Sequence, residues 1–155
     1  MSLSLLAALT IGIVAGLRTM TAPAAVSWAA SLGHLDLSGS WLAFLGHGWT
    51  PWILTAFAAL ELVGDKLPST PSRKVPLQFG ARLVSGALAG AALGIGSGGP
   101  IAGLAAGLIG AIAGTLGGSA LRARMAAAFG RDLPAALVED GVAVIAAILI
   151  VGVLA

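Results

Sequence analysis

Residues 12–33 read GIVAGLRTMTAPAAVSWAASLG, an apolar stretch that an arginine, two threonines and a proline interrupt halfway along. The surrounding apolar segment covers residues 3–32, more than the roughly 20 residues that cross the hydrocarbon core of a bilayer. Pro23 removes one backbone donor and displaces the carbonyl group one turn earlier. The stretch therefore predicts a membrane segment that is interrupted near residues 18–23, with a helix break at Pro23 that is either an ordinary kink or an opening that lines a polar cavity.

The composition of the whole chain is that of a membrane protein. Hydrophobic residues make up 58% of the 155 residues and charged residues only 9%, whereas a soluble domain carries roughly 25% charged residues. A net charge of +2 is too small to indicate nucleic-acid binding, and the absence of Cys excludes disulfides and thiolate metal sites. We expect a single integral membrane domain over residues 1–155, with the lipid bilayer as its main partner.

Four further apolar segments follow, at residues 51–63, 77–96, 101–129 and 135–154. Lys and Arg are absent from residues 33–50 and 97–100, and they cluster after the second segment and at the end of the fourth. Five spans place both basic clusters on the same side, which the positive-inside rule makes cytoplasmic. The sequence therefore predicts an all-α helix bundle of about five spans in the bacterial inner membrane, with the N-terminus cytoplasmic and the C-terminus outside.

The first and fourth segments have similar sequences. At an offset of 98, residues 6–8 and 11–12 match residues 104–106 and 109–110. Three crossings separate the two copies, so the match predicts an inverted repeat of residues 3–66 and 101–155, linked by a helix at residues 77–96. Small transporters often follow this plan, with their binding sites at broken helices near the midplane.

Arg18 is the most unusual charge in the chain. A helix that starts near Leu3 places it about 22 Å along the axis, where an unpaired charge costs at least about 2.5–3.5 kcal/mol. We therefore expect Arg18 to face the bundle interior beside an acid. It serves either as an internal salt bridge or as a substrate or ion ligand, unless the segment crosses elsewhere and Arg18 lies near an interface.

Two acidic pairs are the candidate partners of Arg18. Glu61 and Asp65 are four residues apart and share one helix face, and Lys66 follows at the helix end. Glu139 and Asp140 lie in the first turns of the last segment, where they complement the helix N-terminus; alternatively, one of them turns inward towards Arg18 or the Glu61 face. The candidate substrate- or ion-binding residues are Arg18, Thr19, Thr21, Glu61, Asp65, Lys66, Glu139 and Asp140.

No cofactor, metal site or catalytic residue is expected. His34 and His47 are thirteen residues apart and lack the spacing of metal ligands. Glycines at a spacing of four, such as Gly86, Gly90 and Gly94, predict close contacts between helices, within the monomer or across a homodimer. The four Trp residues predict an aromatic belt at the outer face.

The motifs AGLRTMTAPAAVSWAA, DKLP and EDGVAVIAAILIVG resemble those of a family of small bacterial integral membrane proteins catalogued as a domain of unknown function. The resemblance covers nearly the whole chain. It implies that the positions of interest are Arg18, Asp65, Lys66, Pro68, Glu139 and Asp140. It brings no biochemical activity with it, so it supports the architecture and the site rather than a function.

The function that these observations favour is transport of a small solute, an ion or a lipid headgroup. One alternative is an intramembrane enzyme in which Arg18, Arg73 and Lys74 bind a lipid phosphate, although no nucleophile or metal motif supports catalysis. The other is a structural or assembly protein. Transport predicts a water-accessible cavity that touches Arg18, catalysis predicts acids and bases at one membrane face beside a lipid-open groove, and a structural role predicts a dry core with every charge paired.

Overall fold

The computed structural model describes residues 2–66, 72, 74–97 and 99–154. These residues form α1 (Leu3–Leu17), α2 (Thr21–Ser31), α3 (Thr50–Gly64), α4 (Pro76–Gly96), α5 (Pro100–Phe129) and α6 (Asp132–Leu154), with a short 3-10 helix at Ala43–Gly46. The protein is 82% helical, and the described residues contain no strand. The all-α prediction is confirmed.

Local sequence signals set several helix ends. Pro76 and Pro100 stand at the starts of α4 and α5, where the missing N–H of proline has no helical partner to lose. Gly130 ends α5 with a φ of 69°, a left-handed conformation that glycine adopts without a steric penalty. The bounds of α3, α4, α5 and α6 lie within a few residues of the predicted segments.

Among the described residues, three helices are long and apolar enough to cross a membrane, namely α4, α5 and α6 with 21, 30 and 23 residues. This is fewer than the five spans predicted from the sequence. Both α1 and α3 have 15 residues, which corresponds to about 22 Å against a hydrocarbon thickness of about 30 Å. The first apolar segment contributes two helices rather than one long one.

The contacts of α4 show the direction of α1. Arg82, in the second turn of α4, donates a hydrogen bond to the carbonyl of Leu17 at the end of α1 (2.8 Å). One turn further along α4, a Cβ atom placed on Gly86 would lie 3.4 Å from the side chain of Ala15. The two helices therefore run antiparallel.

Contacts of α4 also show that α2 runs antiparallel to α1. Ser85 donates to the carbonyl of Thr19, just before α2 (2.5 Å). At the far end of α4, Gly96 lies against the side chain of Leu35, which follows α2. Since α4 runs parallel to α2 and antiparallel to α1, the chain reverses at residues 18–20.

The predicted break is thus a tight turn between two antiparallel helices. Arg18 has an extended backbone, with φ −139° and ψ 113°, and it ends α1. Pro23 is the third residue of α2, a first-turn position whose N–H has no helical partner in any case. The prediction that the first apolar segment is interrupted near residues 18–23 is confirmed, but the interruption is the turn at residues 18–20, and Pro23 lies within the first turn of α2.

Glycine faces bring α1, α4 and α5 into backbone contact. A Cβ atom on Gly12 would overlap the carbonyl of Gly107, and one on Gly90 would overlap the carbonyl of Gly103. Such close approach is the use that membrane helices make of small residues. The faces proposed for a homodimer are occupied within the chain, so they no longer support that prediction.

The packing of α1 on α5 also bears on the predicted repeat. Gly110 lies against Leu9, and Gly114 lies against Ile13. The residue numbers of these contacts rise together along the two helices, so α1 and α5 are parallel. An inverted repeat needs copies that run in opposite directions, and the additional reversal after α1 removes that relation.

The bundle has two chemically different ends. The basic end holds the turn at residues 18–20, the end of α3, the start of α4 and the turn at Gly130; the tryptophan end holds the start of α1 and the loop between α2 and α3. Of the eight Lys and Arg residues, all but Arg73, which lies outside the described residues, are at the basic end. Trp41, Trp49 and Trp52 are 63%, 74% and 62% exposed at the other.

Both chain ends lie at the tryptophan end. Leu3 and Val153 line the same recess between α1 and α6, while Arg18 at the other end of α1 contacts Asp140 near the start of α6. The N- and C-termini were predicted on opposite faces. The structure places them at the same end, because the reversal at residues 18–20 adds one helix to the count.

Candidate functional site

Side chains from α3 and α4 hold the backbone of the turn at residues 18–20. The carboxylate of Glu61 accepts hydrogen bonds from the N–H groups of Thr19 and Met20, both at 2.7 Å. A negative charge at this position complements the N-terminus of α2. Arg82 donates to the carbonyls of Gly16 and Leu17, at 3.0 and 2.8 Å, groups that the end of α1 leaves without helical partners.

Arg18, the first residue of this turn, is completely buried. Its Nε donates to Oδ1 of Asp140 at 2.6 Å, and its Nη1 donates to Oδ2 of Asp65. The other oxygen of Asp140 pairs with Nζ of Lys66 at 2.5 Å. The prediction that Arg18 faces the interior beside an acid is confirmed, and two of the four candidate acids contact it.

Glu61 and Asp65 lie on one face of α3, as their spacing predicted. Nη2 of Arg82 lies 3.8 Å from Oε1 of Glu61 and 4.0 Å from Oδ2 of Asp65. Arg82, only 2% exposed, thus links the two acids to the turn. Arg82 is not among the site residues predicted from the sequence, although an ionisable side chain inside an apolar segment is the signal that singled out Arg18.

Glu139 belongs to a second cluster. Arg122 forms a bidentate salt bridge with Asp132, with N···O distances of 2.9 and 2.6 Å. Its Nη1 lies 3.6 Å from Oε2 of Glu139. Neighbouring residues on a helix point about 100° apart, so Asp140 reaches Arg18 while Glu139 reaches Arg122. The alternative that one of these two acids turns inward towards Arg18 is confirmed, and that acid is Asp140.

A recess of about 320 Å³ opens beside the turn, between the ends of α3 and α4. Its lining includes both acids of α3, Glu61 and Asp65, together with Gln78 and the turn residues Thr19 and Met20. Arg18 does not line it. Asp65 therefore stands between the buried guanidinium group and the recess, with 18% of its side chain exposed.

The remaining candidates lie at the edges of this network. Lys66 also donates to the carbonyl of Leu62 at 2.6 Å, so it closes the end of α3. Thr21 is buried, and its hydroxyl group has no hydrogen-bond partner among the described residues. Pro68 and Arg73 lie outside the described residues. Within the described part, no group of three or more potential metal-ligating side chains occurs.

Comparison with family models, with curated proteins and with solved structures gives no match to this chain. The resemblance to a family of unknown function therefore stays a prediction.

Proposed function

We propose that this protein is a small membrane transporter that takes up a proton or a small cation at the acid-lined recess. One observation carries the proposal: Asp65 pairs with the fully buried Arg18 and also lines an open recess. A carboxylate in this position can bind a proton or cation from outside and alter the charge balance at the centre of the bundle. Intramembrane ionisable groups of this kind are typical of transport pathways.

Uptake of a proton by Asp65 would change the ion pairs of Arg18. Protonation of Asp65 removes one of the two negative charges that contact the guanidinium group, and Asp140 remains shared between Arg18 and Lys66. The loss of a negative partner at Arg18 favours movement of the turn at residues 18–20, whose backbone is held by side chains from α3 and α4. Thr19 and Met20 lie on both the turn and the recess, so such movement changes the recess itself.

The proposed arrangement in the membrane follows from the charges. The positive-inside rule places the basic end in the cytoplasm of a bacterial inner membrane, with the exposed Trp residues at the opposite interface. Both termini are then outside. The three long helices cross the bilayer completely, and the shorter helices α1, α2 and α3 complete the bundle around the turn.

The proposal is tested by flux into proteoliposomes. Purified protein is reconstituted with an entrapped pH-sensitive dye, the membrane potential is clamped with potassium and valinomycin, and proton flux is measured; Na⁺ and K⁺ gradients are tested separately. We expect flux above that of protein-free vesicles, and we expect Asp65→Asn to reduce it at least about tenfold, since an amide cannot take up a proton at neutral pH.

Asp36→Asn is the matched control. Asp36 lies at the tryptophan end, where hydrogen bonds from the hydroxyl group and the N–H of Ser38 lower its pKa. It is remote from the recess, so the control should transport like the wild type. Wild-type vesicles without flux of any of the three cations, or an Asp65→Asn variant with full flux, would overturn the proposal.

A structural role is the second candidate, and the complete burial of Arg18 favours it. Arg18 is 0% exposed and contacts two acids, as expected of a salt bridge that joins α1 to α3 and α6. In that case Asp65→Asn lowers stability, and the wild type shows no flux. The enzyme alternative gains no support, because the guanidinium group of Arg18 is buried against carboxylates and is not accessible to a phosphate.

A further inference from the structure

A groove separate from the acid-lined recess opens between α2, α3 and α6. Its volume is about 380 Å³, and nearly all of its lining is apolar. Its depth comes from small side chains, such as Ala24 and Ala25 on α2 and Ala58 and Ala59 on α3. Ile148, which is 63% exposed, lies at its rim, so the groove opens sideways on the outer surface of the bundle.

One polar group in this groove has no partner. Thr21 lines the groove and is only 7% exposed, and its hydroxyl group forms no hydrogen bond with the described residues. The other lining hydroxyl group is satisfied, because Thr55 donates to the carbonyl of Pro51 and accepts from the indole of Trp28. A buried polar group without a partner is costly, so an occupant with a hydrogen-bond acceptor near Thr21 would be favoured.

The polar groups beside the groove lie at its basic end. Thr21 begins α2 at the basic end, and Trp28 lies seven residues further towards the tryptophan end, about 10 Å along the axis. Leu62 lines the groove on α3, and its carbonyl accepts a hydrogen bond from Nζ of Lys66. Nζ of Lys66 also pairs with Asp140 at 2.5 Å, and the side chain of Lys66 is 25% exposed. An accessible ammonium group, shared with one carboxylate, therefore lies beside the end of the groove at which the free hydroxyl group is found.

We propose that the groove binds one anionic glycerophospholipid of the leaflet at the basic end. An ester carbonyl of the lipid accepts from the hydroxyl group of Thr21, one acyl chain lies along α2 towards Trp28, and the phosphate lies near Lys66. This occupant matches each feature in turn, since it has an acceptor at the depth of Thr21, an apolar tail and a negative charge. The groove and the recess share no lining residue, so lipid binding in the groove does not require the proposed transport.

Lipid binding by delipidated protein in detergent tests the proposal. Phosphatidylglycerol and phosphatidylcholine with the same acyl chains are titrated separately, and bound lipid is counted by native mass spectrometry. We expect one phosphatidylglycerol to bind at least about fivefold more tightly than phosphatidylcholine. Thr21→Val should weaken phosphatidylglycerol binding about three- to tenfold, the effect of losing one hydrogen bond, and Thr21→Ser should restore it.

Thr10→Val is the matched control. Thr10 is on α1 outside the groove, and its hydroxyl group donates to the carbonyl of Leu6, so this variant should bind lipid like the wild type. Equal affinity of Thr21→Val and the wild type, or an equal loss in Thr10→Val, would overturn the proposal. Equal binding of the two lipids would overturn the assignment of an anionic headgroup.

If Thr21→Val fails to fold, a second measurement uses the fluorescence of Trp28, which lines the groove. In a variant that keeps Trp28 and carries Phe at the other three Trp positions, brominated-chain phosphatidylglycerol should quench the fluorescence of Trp28 at a stoichiometry near one. Quenching that rises linearly with lipid and does not saturate would show only bulk lipid contact and would overturn the proposal.

Discussion

Arg18 is the residue on which the basic end depends. Its guanidinium group contacts Asp65 and Asp140, which lie on different helices, and it is excluded from solvent. A buried charge is stable only with its partners, and the loss of one partner leaves the other uncompensated. Arg82 and Lys66 remain near the two acids, so they offset part of such a loss.

Removal of the Arg18 charge should therefore lower the free energy of unfolding. The effects of removing Arg18 and Asp65 should not be additive. Arg18→Gln is expected to lower the free energy of unfolding by about 3–5 kcal/mol, measured by denaturant titration in mild detergent. The double variant Arg18→Gln with Asp65→Asn should lose less than the sum of the two single variants, because it leaves one fewer unpaired charge. Simple additivity would show that the two side chains do not interact in the folded protein.

The turn between α1 and α2 is the element that gives these residues a common location. The turn has only three residues, and α3 and α4 supply hydrogen bonds to its backbone groups. Glu61 thus acts as the N-terminal cap of a helix that lies about 40 residues earlier in the chain. Cap interactions of this kind contribute typically about 1 kcal/mol, and here they also fix the position of an acid at the recess.

The helix α1, which leads into the turn, packs closely against α4 and α5. Gly107→Ala should be destabilising by about 1–3 kcal/mol, the usual effect of overpacking, because the new methyl group would overlap the carbonyl of Gly86. Gly117→Ala on the same helix is the control, since no atom lies within 4 Å of its added Cβ. The control should be neutral or slightly stabilising. Equal effects of the two variants in thermal unfolding would contradict the packing described.

At the scale of the whole molecule, the separation of charge from aromatic residues gives the bundle an orientation. All the described Lys and Arg residues lie at one end, and the exposed Trp residues lie at the other. Anionic lipids of the cytoplasmic leaflet attract basic segments, so the basic end and the proposed lipid groove favour the same side of the membrane.

Labelling of single cysteines tests this orientation directly, since the chain contains no Cys. Ser2→Cys and Ser38→Cys both lie at the tryptophan end and should react with a membrane-impermeant maleimide from outside intact cells. Ser72→Cys, which lies between α3 and α4, should react only after the membrane is opened. If Ser2→Cys, like Ser72→Cys, reacts only after the membrane is opened, the result would instead support the single crossing of residues 3–32 predicted from the sequence.

The sequence by itself determined the helical class, most helix bounds and the need of Arg18 for an acidic partner. These features depend on local quantities, namely runs of apolar residues, proline at helix starts and the cost of a charge in an apolar environment. The direction of α2, the choice of Asp140 rather than Glu139 as the partner of Arg18, and the part played by Arg82 were decided only by the tertiary structure. Each depends on contacts between helices far apart in the chain, and a break such as residues 18–20 has the same local pattern whether the helix continues or turns back.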